Sequence, residues 1–75
     1  MTSAPRVTAD DVARVLRKIG FLKVRQRGSH QKWKHPVSGR IVILPYHSKR
    51  IIHPKTLATI VEGSGLRKEE FQSYL

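Results

Sequence analysis

The chain predicts an α+β fold: a helix, a three-stranded antiparallel sheet, a second helix and a short C-terminal helix. Three observations point there. Apolar residues recur at helical spacing over 12–19, the period falls to two from Phe21 onward, and helix chemistry returns at Pro54. Seventy-five residues make one small domain with one core. It divides into a flexible lead-in over 1–7 and a single domain over 8–75.

The first helix begins at Thr8, whose hydroxyl and the carboxylate of Asp11 three residues on form a near capping box. Val12, Val15, Leu16 and Ile19 give it one apolar stripe, and Arg17 and Lys18 suit the negative end of its dipole. Gly20 is the natural stop. Gly28-Ser29 is a two-residue link of the kind that closes a tight β-hairpin. That turn pairs Arg27 with His30, Gln26 with Gln31, Arg25 with Lys32, Val24 with Trp33, Lys23 with Lys34 and Leu22 with His35. One face then carries Leu22, Val24 and Trp33 toward the core. The other carries Lys23, Arg25, Arg27, His30, Lys32 and Lys34.

Pro36-Val37-Ser38-Gly39 is turn chemistry, and Arg40-Ile41-Val42-Ile43-Leu44 reads as the third strand. Val42 joins Trp33 on the core side. Ile41 and Ile43 are left over, either under the C-terminal segment or on a surface that a partner covers. Pro45 ends the strand before the polar loop Tyr46-His47-Ser48-Lys49-Arg50. Leu57, Ile60 and Val61 form the core stripe of the second helix, which Gly63-Ser64-Gly65 stops. Leu66, Phe71 and Tyr74 anchor the third.

Charge narrows the function. Fifteen Lys and Arg face five Asp and Glu, a formal net charge of +10. Such a field favours nucleic acid or an acidic protein as partner. No cysteine is present, which excludes disulfides and thiolate metal sites. No apolar run approaches the roughly 20 residues that span a bilayer, and the N-terminus lacks a signal-peptide core. A cytoplasmic protein with no membrane role is expected.

The cationic hairpin face carries the chemistry. Like charges set opposite one another destabilise a hairpin, and no carboxylate is interleaved among them. The face therefore reads as an anion-binding surface. The candidate RNA- or phosphate-binding residues are Lys23, Arg25, Arg27, Lys32 and Lys34, with Gly28 and Ser29 at the turn and His47 and Lys49 in the loop. His30, at the tip beside Arg27, is the candidate catalytic residue. An imidazole exchanges protons near neutrality, and surrounding cations favour its neutral form, the form that acts as a base. RNA supplies its own nucleophile, the 2′-OH, so a base, an acid for the leaving oxygen and positive charge at the phosphate suffice. No second acid–base group stands out. Paired carboxylates that would hold a hard cation are missing, so no metal and no cofactor is expected. His35 reads as a packing or capping residue, His53 as a helix starter before Pro54, and Trp33 as core.

Several stretches, taken in order, resemble the HicA family of bacterial toxins. They are Ile19-Gly20-Phe21, Arg25-Gln26-Arg27-Gly28-Ser29-His30, Trp33-Lys34-His35-Pro36, Leu44-Pro45-Tyr46-His47, Pro54-Lys55-Thr56-Leu57, and Gly65-Leu66 followed by Glu69-Glu70-Phe71. The resemblance implies a double-stranded-RNA-binding-like fold and a ribosome-independent endoribonuclease acting on mRNA, with the catalytic histidine at His30. It also implies a HicB-type antitoxin as partner, the chain being a monomer alone and part of a hetero-oligomer with it. The alternative from the residues is a non-catalytic RNA-binding module using the same face. A DNA-binding reading through the first helix is disfavoured, because no second helix follows closely enough for a helix-turn-helix.

Overall fold

The computed structural model describes residues 6–47 and 50–75. Helix α1 (Ala9–Lys18) is followed by strands β1 (Leu22–Arg27), β2 (His30–Lys34) and β3 (Ile41–Pro45), then helices α2 (Pro54–Ser64) and α3 (Lys68–Ser73). The sheet is antiparallel, in the order β1-β2-β3. The expected α+β order is therefore the observed one.

Helix α1 starts as its first residues dictate. The Asp11 amide donates to the Thr8 hydroxyl at 3.1 Å, and the Thr8 amide donates to the Asp11 carboxylate at 3.0 Å. That backbone N–H, with help from the Thr8 hydroxyl and Arg14, holds the Asp11 carboxyl below its ordinary value. Val12, Val15 and Leu16 are fully buried against Trp33, Val42 and Leu44 from the inner face of the sheet, Ile60 from α2 and Phe71 from α3. Burying each such side chain is worth about 1.5–3 kcal/mol, which makes this layer of helices on one sheet face the source of stability. Tyr74, expected as an anchor of α3, is exposed, because the packing there falls to Phe71.

The lead-in expected over 1–7 lies, for residues 1–5, outside the described residues. Val7 is buried and its carbonyl accepts the Ile52 amide at 2.7 Å, while Thr8 and Ile51 form an isolated antiparallel bridge. The segment before α1 is thus tied to the segment before α2.

The expected register holds from the turn through Arg25 and Lys32, then breaks. Beyond it the pairs are Lys23 with Trp33 and Leu22 with Lys34, with Val24 as the extra residue of a β-bulge. The expected pairs Val24–Trp33, Lys23–Lys34 and Leu22–His35 do not form. Leu22 and Val24, expected in the core, are 59% and 52% exposed, while Trp33 is 1% exposed. The bulge reverses the parity of the strand below it, and sheet side chains alternate strictly. On β3, Ile41 and Ile43 pair with Lys34 and Lys32 and are exposed on the outer face, rather than lying under the C-terminal segment.

His35 closes the β2–β3 connection from beneath. Its Nδ1 accepts the amides of Val37 and Ser38, both at 3.2 Å, and its Nε2 meets the Ile19 carbonyl at 3.1 Å. The ring also packs edge-on to Phe21, centroids 5.2 Å apart. Gly20 makes room for it: at φ +100°, a Cβ there would stand 2.8 Å from His35 Nε2. At α2, His53 caps the helix by accepting the Lys55 amide through Nδ1 at 3.1 Å, with Pro54 in the first turn. The packing role expected of His35 and the helix-starting role expected of His53 are both observed.

Candidate functional site

The β1–β2 hairpin ends in the two-residue turn Gly28-Ser29, with Gly28 at φ +59°, a conformation that favours glycine. Directly paired residues of a sheet share a face, so Arg27 lies beside His30 and Arg25 beside Lys32. On the far side of β2, His30 pairs with Pro45. Lys34 lies two places along from Lys32 on the same outer face, beside Leu22. The register thus brings Arg25, Arg27, His30, Lys32 and Lys34 together. Lys23, expected among them, pairs with Trp33 instead, and its ammonium donates to the Gln26 side chain at 3.3 Å on the other face. The bulge at Val24 is what turned it.

His30 is exposed, while Lys32, in the central strand between Arg25 and Ile43, is half-buried. Holding two cations opposite each other costs free energy in an empty hairpin. The arrangement therefore favours whatever anion lies across them, and the stabilisation grows as solvent is displaced.

Beneath the turn runs a chain of side-chain hydrogen bonds not evident from sequence. The buried Trp33 indole donates to Gln31 Oε1 at 3.1 Å. Gln31 Nε2 donates to Gln26 Oε1 at 3.4 Å, and Gln26 Nε2 donates to the Gly28 carbonyl at 3.1 Å. Each amide accepts at its oxygen from the group before it and donates its N–H to the next, so the chain has one direction, from core to turn, and Gln26 Oε1 takes the Lys23 ammonium as well. Arg17 lies over the Trp33 ring at 5.3 Å, a cation–π contact that further fixes its buried end. The signal in the sequence was parity: Gln31 shares its face with Trp33, and a glutamine there has to find buried partners.

The turn is held from β3 as well. The Tyr46 amide donates to the Ser29 carbonyl at 2.6 Å, and the Tyr46 hydroxyl donates to Asp10 at the start of α1. His47 follows, exposed, with its carbonyl accepting the Arg50 amide at 2.7 Å. Beside it is a recess of about 190 Å³ bounded by Pro45, His47, Arg50, His53 and Thr56 among others. Lys49, the remaining candidate, lies outside the described residues.

Trp33 is in the core as expected, beside Val42 and not paired with Val24. Among the described residues no group of three His, Cys, Asp or Glu comes together to hold a metal ion, and no helix is long and apolar enough to cross a membrane.

None of the curated proteins matches the chain. A family model does: the one described as HicA toxin of bacterial toxin–antitoxin matches residues 9–66, a span from the first turn of α1 through the end of α2 that includes the whole hairpin. The fold, the cationic hairpin and this match converge, and the chain belongs to the HicA toxin family.

Proposed function

We propose that this chain is the toxin of a toxin–antitoxin pair, a ribosome-independent endoribonuclease that cleaves mRNA in the cytoplasm with His30 as its catalytic base. The observation that carries the reading is the pairing at the hairpin tip, where His30 stands beside Arg27 on an exposed, doubly anchored turn. His30 takes the proton of the 2′-OH. The 2′-oxygen attacks the adjacent phosphorus, and the 5′-oxygen leaves, giving a 2′,3′-cyclic phosphate and a 5′-hydroxyl. Arg27, Arg25 and Lys32 stabilise the charge that builds on the phosphoryl oxygens. Lys34 and Lys49 hold flanking phosphates, and the backbone of Gly28 and Ser29 lets the strand approach the tip closely. Lys23, turned to the other face, holds the strand only where it passes the hairpin edge.

The reading is tested with purified protein and its His30→Ala variant on a labelled single-stranded RNA, scoring cleavage and binding together. The variant is expected to bind within about twofold of the parent and to lose at least about 10²-fold in cleavage, the usual share of one acid–base group. If neither protein cuts over a range of salt, pH and substrate while both bind, the chain is a non-catalytic RNA-binding module. Product ends carrying a 5′-phosphate would exclude the cyclising route.

A HicB-type antitoxin neutralises this toxin in a hetero-oligomer, setting carboxylates against the cations and apolar groups against Ile41 and Ile43. Those two isoleucines are exposed on the same face as Lys32 and Lys34. Replacing both by Asp should weaken the complex at least tenfold in a titration, and an unchanged affinity refutes this placement.

A further inference from the structure

In-line cleavage of RNA needs a proton delivered to the departing 5′-oxygen as well as one removed from the 2′-OH, and His30 can do only one of these at a time. The second group has to reach the opposite side of the same phosphate. The β2–β3 ladder leads to a candidate. His30 pairs with Pro45, and the same register continues past the named strand ends, because the Tyr46 amide bonds the carbonyl of Ser29, its opposite number. His47 is then the next residue along, two beyond Pro45.

In an antiparallel pair, a residue and the diagonal neighbour two places beyond its partner are about 7–8 Å apart on one face, their Cβ atoms somewhat closer, within reach of aromatic side chains. Carrying the register one residue past Tyr46 sets His30 and His47 in that relation, although β3 itself ends at Pro45. Two observations bear on which way His47 faces. It is exposed, and it borders the same recess as Pro45, whose parity is that of His30. Its backbone is held on both sides, by Tyr46 to Ser29 and by its own carbonyl to the Arg50 amide. The other two histidines are committed elsewhere: His35 beneath the β2–β3 turn and His53 at the start of α2.

We propose that His47 is a second catalytic residue, the general acid that protonates the leaving 5′-oxygen. This rests on the endoribonuclease reading and completes it. His30 removes the 2′-proton as the bond from the 2′-oxygen to phosphorus forms. The bond from phosphorus to the 5′-oxygen breaks, and the proton on the His47 imidazolium passes to that oxygen. One imidazole ends charged and the other neutral, and solvent restores both. His30 is the base because it shares the ladder with Arg27 and Lys32, the cations placed to hold the attacked phosphate. The leaving strand runs into the recess beyond Pro45, where Arg50 and Thr56 offer a charge and a hydroxyl.

The experiment takes an RNA that the parent protein cuts and remakes it with sulfur in place of the bridging 5′-oxygen at the cut phosphate. A thiolate departs without a proton. His47→Gln is expected to lose at least about 10²-fold on the ordinary RNA and to recover to within about threefold of the parent on the sulfur substrate. His30→Ala is expected to stay slow on both. An equal loss by His47→Gln on the two substrates, or no loss on either, overturns the assignment and leaves His47 a phosphate contact or a bystander. A parent protein that cuts neither substrate overturns the nuclease reading itself, and the assignment with it. RNA affinity of His47→Gln within about twofold of the parent certifies that the variant is folded and binds.

Discussion

Gln31 has two neighbours that cannot do without it. Its oxygen is the acceptor for the buried Trp33 indole, and its N–H is what directs Gln26 toward the turn. Gln31→Leu fits the volume but leaves the indole N–H unsatisfied, which costs about 1–3 kcal/mol in urea denaturation. The same change frees the Gly28 end of the chain, so cleavage should fall through kcat while RNA affinity stays near that of the parent. The cations lie on the opposite face and keep their places. A loss in affinity equal to the loss in kcat would show that the chain supports binding rather than the geometry of the tip. Sequence made the outer residues of this hairpin legible, because a two-residue turn fixes which residues pair beside it: Arg27 with His30, Arg25 with Lys32. It hid the inner ones, since Gln26 and Gln31 between charged residues look like further solvated positions until Trp33 is known to be buried beneath them.

At the scale of elements, β1 is where expectation and structure part. Nothing in Leu22-Lys23-Val24-Arg25 marks an extra residue, and regular alternation is the simplest reading of it. The bulge at Val24 undoes that reading by one place, sending Leu22 outward and Lys23 inward. A bulge is chosen by how the whole strand twists over its neighbour, a property of the sheet and not of four residues. The two registers differ measurably. Val24→Ala should cost no more than about 0.5 kcal/mol, the usual effect at an exposed site, whereas a core valine packed on Trp33 would lose about 2 kcal/mol or more. The helices were legible because their signals are local. Thr8 and Asp11 close the α1 capping box, His53 and Pro54 open α2, and Gly65 ends it in a left-handed conformation at φ +84°.

For the molecule as a whole, charge and core are divided between the two faces of one sheet. The inner face meets α1 and α2 through Trp33, Val42 and Leu44, and the outer face holds the cations of β1 and β2. A net charge of +10 acts on any polyanion at long range, but only ions displaced at contact set the salt dependence of binding. For single-stranded RNA each neutralised phosphate contributes about 0.7 to the slope of log affinity against log salt. Lys32→Ala should therefore lower that slope by about 0.7, and Arg14→Ala, on the far side of the domain beside Asp11, should leave it unchanged. Equal changes from both would mean that the field alone, and not a defined face, holds the RNA.

The amide bonds around His35 reach further than the turn they close. A ring nitrogen that accepts two backbone N–H groups carries no proton of its own, so His35 is fixed as the Nε2–H tautomer, and the bond to the Ile19 carbonyl is its donor side. His53, accepting at Nδ1, has the same proton on the same nitrogen when neutral. Of the four imidazoles in the chain, the fold has thus locked His35 and His53 into one tautomeric form. In a nitrogen-15 spectrum both rings, when neutral, are expected to show the Nε2–H pattern, and an Nδ1–H signal from either would refute the contacts that fix it.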